Sequence, residues 1–139
     1  MKLSVKADYA CRAVAALAHH HPNQEPMRID DIAGHEAIPA NYLVQILIEL
    51  KRNGLIRSRR GKAGGYVLAK PPGEISVGDV IRAVHGEVIE LSSLAGSACP
   101  EEIRRVWHRI KTATEKTADG ITFEEIKTQA GGRTSMYYI

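Results

Sequence analysis

Apolar residues recur along this chain with a period near 3.6, broken once by a short stretch of a different kind. Ala10, Ala13, Val14 and Leu17 stand at i, i+3, i+4 and i+7, which predicts a helix over 5–20 with Ser4 as its N-cap and Pro22 beyond its end. Ile29, Ile32 and Ala33 predict a brief second helix, capped by Asp30 and interrupted at Gly34. After Pro39 the spacing returns at Leu43, Ile46, Leu47 and Leu50 and predicts a third helix that stops at Gly54. The period then changes. Leu55–Arg60 and Tyr66–Leu68 read as two short strands joined by the flexible turn Gly61-Lys62-Ala63-Gly64-Gly65, a β-hairpin.

Beyond Pro71-Pro72-Gly73, Ser76 and Asp79 form a capping box for a fourth helix with Val77, Val80, Ile81 and Val84 on one face and Gly86 at its end. Residues 87–100 show no sustained period. Behind Pro100, the stripe Ile103, Val106, Trp107 and Ile110 predicts a long fifth helix reaching Thr117, broken at Asp119-Gly120. Thr122 and Glu125 cap a last short helix carrying Phe123 and Ile126, and Gly131-Gly132 opens a mobile tail.

The expected architecture is therefore mainly α with a small β-hairpin: a winged helix-turn-helix followed by a long C-terminal dimerisation helix. Its segments are 1–73 (helix-turn-helix and wing), 74–100 (fourth helix and loop), 101–128 (dimerisation helix and terminal short helix) and 129–139 (tail). With 139 residues and 44% hydrophobic content there is material for one core. A fifth helix with an apolar stripe and no further partner in so small a chain is expected to pack on its own copy, giving a homodimer.

The net charge of +3 says little by itself, but its distribution is uneven. Between Lys51 and Lys70 stand Lys51, Arg52, Arg57, Arg59, Arg60, Lys62 and Lys70 without one acidic residue. Such a concentration suits the phosphates of double-stranded DNA, where neutralisation releases condensed counterions and guanidinium groups hydrogen-bond phosphate oxygens. Asn41, Tyr42 and Gln45, at the start of the second helix of the pair, are the expected contacts to base edges, and amide side chains can pair bidentately with adenine. Gly64 and Gly65 are expected to let the wing's backbone approach the groove.

No apolar run is long enough to cross a bilayer, and Met1-Lys2-Leu3-Ser4-Val5-Lys6 lacks the apolar segment of a secretory signal, so no membrane partner and a cytoplasmic location are expected. Cys11 and Cys99 do not form a disulfide framework in a reducing compartment. Cys99 precedes Pro100 at a helix N-terminus, where the dipole favours a reactive thiol, and sensing and packing are both open to it. Cys11 is read as a packing residue. The run His19-His20-His21 cannot converge on one metal ion, because consecutive helical residues point apart; it is read as a solvated helix end. An enzyme would rest on Cys99 with His85 or His108 as base. No oxyanion-hole motif, phosphate loop or paired carboxylates accompany them, and no catalytic residue is assigned.

On Asp8-Tyr9-Ala10, Ile38-Pro39 with Tyr42-Leu43 and Gln45-Ile46-Leu47, Gly54-Leu55-Ile56, and the run RGKAGGYVLAKPP followed by EISVGDVIRAV, the chain resembles the Rrf-type winged-helix regulators, the group of IscR, NsrR and CymR type. The resemblance runs to about Ile126. It implies a sequence-specific DNA-binding transcription regulator, more often a repressor, acting as a homodimer on a palindromic operator, with residues 101–118 crossing the partner. It also places Arg60 in the minor groove and Asn41, Tyr42 and Gln45 in the major groove. Where IscR carries a glutamate that helps choose its promoter class, this sequence has Val44, so no target sequence carries over.

Cluster-binding members hold an iron-sulfur cluster with three cysteines in the loop before the fifth helix. Only Cys99 is present there, and Glu102 stands where IscR has its histidine ligand. Asp8 matches the ligand column of NsrR in the first helix, and Cys11 lies at i+3 from it, so Asp8 and Cys11 of one subunit with Cys99 of the other are the candidate metal ligands and sensor residues. The expected input is a redox or iron-sulfur signal through the loop containing Cys99. The alternative is a regulator without cluster or redox switch, controlled by a regulatory protein partner or a small ligand.

Overall fold

In the computed structural model the described residues are 3–23, 25–94, 96 and 98–137, with the side chains of Ser93 and 132–137 left aside. The element order is α1 (Val5–His19), α2 (Ile29–Glu36), α3 (Ala40–Arg52), β1 (Ile56–Arg59), β2 (Gly65–Leu68), α4 (Val77–His85), α5 (Glu101–Gly120) and α6 (Phe123–Tyr137). Helix α1 begins where expected: the Ser4 hydroxyl accepts from the Ala7 amide at 3.3 Å. It packs against α2, α3, α4, α6 and β2. That central position explains why Ala7, Ala16 and Ala18 are buried beside the predicted Ala10, Ala13, Val14 and Leu17; small side chains let neighbours approach from several sides.

Leu43, Ile46, Leu47 and Leu50 of α3 are all in the core, with Ile32, Ile38, Ile56, Ile75, Val80 and Phe123. Burying each such side chain contributes roughly 1.5–3 kcal/mol. Helix α4 carries its capping box, with Asp79 N donating to Ser76 Oγ and Ser76 N to Asp79 Oδ2, both at 3.0 Å. Gly86 closes it with φ +84°.

Four features differ from expectation. Asp30 does not cap α2; the cap position is Arg28, whose amide donates to the Asp31 carboxylate at 3.3 Å, while Asp30 lies inside the first turn. Nor does Gly34 interrupt that helix, which runs to Glu36 and stops at Ala37 in a left-handed conformation, φ 54°. Helix α5 reaches Gly120 rather than Thr117. Finally, α6 is not short: it continues through Gly131-Gly132 to Tyr137, so helix occupies most of the expected tail. Gly131 does not take the positive φ that would stop a helix. Residues 138 and 139 lie outside the described residues.

A single residue, Met27, adds to the hairpin. Its amide donates to Tyr66 O at 3.0 Å and its carbonyl accepts from Tyr66 N at 2.8 Å, fastening the segment before α2 to β2. Among the described residues, no helix is long and apolar enough to cross a membrane.

Candidate nucleic-acid interface

Helix α3 presents Asn41, Tyr42, Val44, Gln45 and Ile48 to solvent, opposite its buried leucines and isoleucine. Tyr42 is held at its base by an edge-on contact with Tyr9, ring centroids 6.0 Å apart, and the Arg12 guanidinium stands 5.6 Å from the Tyr9 ring. The Gln45 amide nitrogen donates to Glu49 Oε1 at 3.2 Å, and Lys6 Nζ donates to the same oxygen at 2.8 Å. Burial alone would raise the Glu49 carboxyl; the hydrogen bonds from Lys6 and Gln45 and the charges of Lys6 and Arg52 outweigh it and hold Glu49 below the ordinary range. Lys6, Gln45 and Glu49 thus form one network at the root of the exposed face.

The wing follows directly. Strands β1 and β2 pair antiparallel, with Arg57 opposite Val67 and Arg59 opposite Gly65. Arg57, Arg59, Arg60 and Lys62 are exposed, as is Arg52 at the end of α3. Lys51 Nζ donates to Ser58 Oγ at 2.8 Å, tying the end of α3 to β1. An open groove of about 700 Å³ between them is lined by Lys51, Arg57, Ser58 and Lys70. At the far side, Arg28 Nη2 donates to Lys62 O at 2.7 Å and holds the wing tip toward α2. The C-terminal end of α3 and the wing are thus joined in a basic groove of Lys51, Arg57 and Lys70, and Asn41, Tyr42 and Gln45 lie on the exposed face of the same helix.

Gly64 and Gly65 have a structural requirement in addition to any role at the groove. A Cβ on Gly65 would lie 2.5 Å from Met27 O, and one on Gly64 would meet the backbone of Arg59, Arg60 and Gly61. Sequence spacing showed the glycines but not what packs against them, because Met27 has no periodic neighbours to announce its pairing.

Residues 3–129 match the family described as Rrf2, iron-dependent transcriptional regulator. The chain belongs to the Rrf2 family. It is 31% identical over 137 residues to the HTH-type transcriptional regulator CymR of Bacillus subtilis, covering 99% of this chain and 97% of that one. Among solved structures it resembles T. potens IscR, with TM-score 0.80 and 32% identity over 94% of this chain and 88% of that one. It also resembles the oxidized form of Staphylococcus aureus CymR, with TM-score 0.76 and 33% identity over 91% and 96%. As an Rrf2-family transcription regulator it binds DNA and is not an enzyme.

Of the candidate sensor residues of this Rrf2 chain, Asp8 and Cys11 are neighbours on α1 and Cys99 lies before α5. The Asp8 carboxylate pairs with Arg12 at 2.7 Å. Cys11 is half-buried against the core, where burial, reinforced by the Asp8 charge, pushes its thiol up to about 11. Cys99, half-buried, donates its thiol to Pro100 O at 3.6 Å. Among the described residues, no three His, Cys, Asp or Glu side chains of one chain converge on a metal position. Among the described residues, Asp8 and Cys11 on α1 and Cys99 before α5 thus form no iron-sulfur site within one chain.

Proposed function

We propose that this regulator is a cytoplasmic repressor that binds a palindromic operator as a homodimer, with α3 in the major groove and the wing against the minor groove. Asn41, Tyr42 and Gln45 meet base edges; Arg52, Arg57, Arg59, Arg60 and Lys62 meet phosphates and the groove wall, with Gly64 and Gly65 shaping the wing. The observation that carries this reading is that the helix bearing exposed Asn41, Tyr42 and Gln45 ends at Lys51, which is tied to Ser58 of the wing in a groove lined also by Arg57 and Lys70.

The dimer rests on α5. In this 20-residue helix only Ala118 is buried, whereas Ile103, Val106, Trp107 and Ile110 are 43%, 46%, 42% and 37% exposed on one stripe. A copy of the same helix would cover it. The input is the loop from Glu87 to Pro100, which is fastened to α5 by Lys111 on Glu87 at 3.2 Å and by Arg104 on Leu94 O at 3.3 Å. Cys99 is the oxidant-responsive group within it, a reading supported by the oxidized form solved for the S. aureus relative.

The test is light scattering together with fluorescence anisotropy on the promoter duplex of the protein's own gene. A mass of two chains, tight binding that weakens steeply with salt, and derepression of a reporter on deletion are expected. Trp107→Asp leaving a mass of two chains would refute the α5 dimer contact, and a monomer with unchanged affinity would refute operator binding as a homodimer. Cys99→Ala leaving the response to peroxide intact would refute the redox input.

A further inference from the structure

The exposed face of α3 is not uniformly polar. Asn41, Val44, Gln45 and Ile48 fall at i, i+3, i+4 and i+7, and all four are exposed, Val44 and Ile48 each by 44%. This is the spacing with which a homeodomain's third helix reads the major groove. Val44 and Ile48 are one turn apart, so their side chains form a continuous apolar edge along that face. Both are β-branched and lose side-chain freedom in a helix, so neither is favoured there by helix formation itself.

We propose that Val44 and Ile48 are specificity residues that contact thymine C5-methyl groups in the major groove. The proposal rests on the reading of α3 as the groove helix. The edge lies on α3 between Asn41 and the basic end at Lys51 and Arg52, where Lys51 is tied to Ser58 of the wing. That charge suits a polyanion and gives an apolar protein partner nothing to pair with. Within the major groove the thymine methyl is the apolar group a base edge presents. A cytosine at the same position would bring its amino group against aliphatic carbon and lose a hydrogen-bond partner.

Gln45, which stands between the two, reinforces the choice. A carboxylate only accepts, so the atom of Gln45 facing Glu49 is its amino nitrogen, and the Gln45 carbonyl oxygen remains as the acceptor for a base. In an A·T pair, the adenine amino group supplies that donor beside the thymine methyl. Asn41 reads adenine by the same chemistry. The half-site this face fits is a run of A·T pairs with thymines under Val44 and Ile48.

The experiment selects binding sequences from a random duplex pool, then replaces each thymine of the selected duplex singly by deoxyuridine, which removes the methyl group and keeps every hydrogen bond. Affinity is measured for wild type, Val44→Ala, Ile48→Ala and Asn41→Ala, with melting curves to confirm folding. One or two positions per half-site are expected to lose about fourfold with wild type, the equivalent of about 0.8 kcal/mol per buried methyl group. Each alanine variant should abolish the loss at its own position.

Uniform tolerance of deoxyuridine, or losses undiminished in both variants, overturns the proposal. If Asn41→Ala meanwhile relaxes selectivity, α3 remains the groove helix and only the methyl contact fails; if Asn41→Ala changes nothing, the groove-helix reading fails as well. Variants that change the oligomeric mass but not DNA affinity would make the edge a protein contact and also overturn the proposal.

Discussion

Gly65→Ala is the substitution whose cost follows most directly from the geometry. The new Cβ would stand 2.5 Å from Met27 O, 2.7 Å from Met27 C and 3.1 Å from Arg28 N, all backbone atoms. Ordinary contact begins near 3.4 Å, so the two segments must separate by about 0.9 Å. Met27 and Tyr66 exchange two hydrogen bonds of 3.0 and 2.8 Å, and that separation breaks both. Each is worth about 1 kcal/mol. Gly65 also has φ +147°, a region that costs an alanine about 1 kcal/mol or more. Together these give about 3 kcal/mol, or a fall in Tm of about 10 °C for a chain of this size.

Gly61→Ala is the matched control. Gly61 has φ +105° and nothing within 4 Å of a built Cβ, so only the conformational cost of about 1 kcal/mol applies. Thermal melts of both variants separate contact from conformation. Because the Met27 pairing and the Arg28 hydrogen bond to Lys62 hold the wing, Gly65→Ala should also weaken operator binding by about tenfold, a loss of roughly 1.4 kcal/mol. If Gly65→Ala melted within 2 °C of wild type, or if the two variants were equivalent, the close approach of Met27 to Gly65 would not be the constraint described.

Three further outcomes are expected. Glu49→Gln should remove about 1 kcal/mol at pH 6, and because the folded carboxyl is held below its unfolded value near 4.3, the difference from wild type should shrink as pH falls from there through the depressed value; urea melts at pH 6 and 3.5 measure it. Cys11, pushed up to about 11 from an ordinary 9.0, should react with iodoacetamide at pH 8 about 100-fold more slowly in the folded protein than in urea, as followed by mass spectrometry; equal rates would contradict its burial. Phe123→Ala empties a fully buried position where α6 meets the core and should cost about 3–5 kcal/mol in calorimetry, whereas a cost below 1 kcal/mol would place Phe123 outside the core.

The elements legible in the sequence are those whose determinants are local. Leu43, Ile46, Leu47 and Leu50 define α3 by their spacing, Ser76 and Asp79 start α4, and the glycine turn between Arg60 and Tyr66 marks the hairpin. At the start of α2 two aspartates compete, and only their position relative to Arg28 decides which one meets its amide. Ala37 gave no sign of its positive φ, since alanine is not a residue that marks such turns. At the interface, the basic run identified the wing, but contacts that orient it and the α3 face join distant residues: Met27 to Tyr66, Arg28 to Lys62, Lys6 to Glu49. Long-range pairs of this kind have no period to read. The apolar edge of Val44 and Ile48 was visible as letters, yet its exposure depends on which face of α3 the rest of the chain covers.

These same contacts show where the molecule is stiff. Helix α4 meets α1 and α3 through apolar packing around Val80, with His85 Nε2 against Ser4 Oγ at 2.7 Å and Asn53 Nδ2 donating to Ala83 O at 3.4 Å. It meets α5 differently: Arg82 clasps Asp119 at 2.7 and 3.0 Å and lies 3.6 Å from Glu115, with all three side chains about a third or more exposed. The hydrogen bonds that Arg82 donates to Asp119 raise the Arg82 pKa further, and Gly78 leaves room for the carboxylate beside α4. Exposed ion pairs are weak and screened by salt, whereas the packed core resists deformation. Where α5 ends, Val77 N donates to Ile121 O at 2.9 Å and Phe123 N to Ile75 O at 3.0 Å, so a displacement of α5 driven from the loop would strain the Arg82 ion pairs and pivot about this anchored end, before it disturbed the packing of α3 and the wing. In the proposed dimer, that displacement changes the separation and tilt of two unchanged reading surfaces, which alters the fit to a palindrome while each half-site contact keeps its own preference.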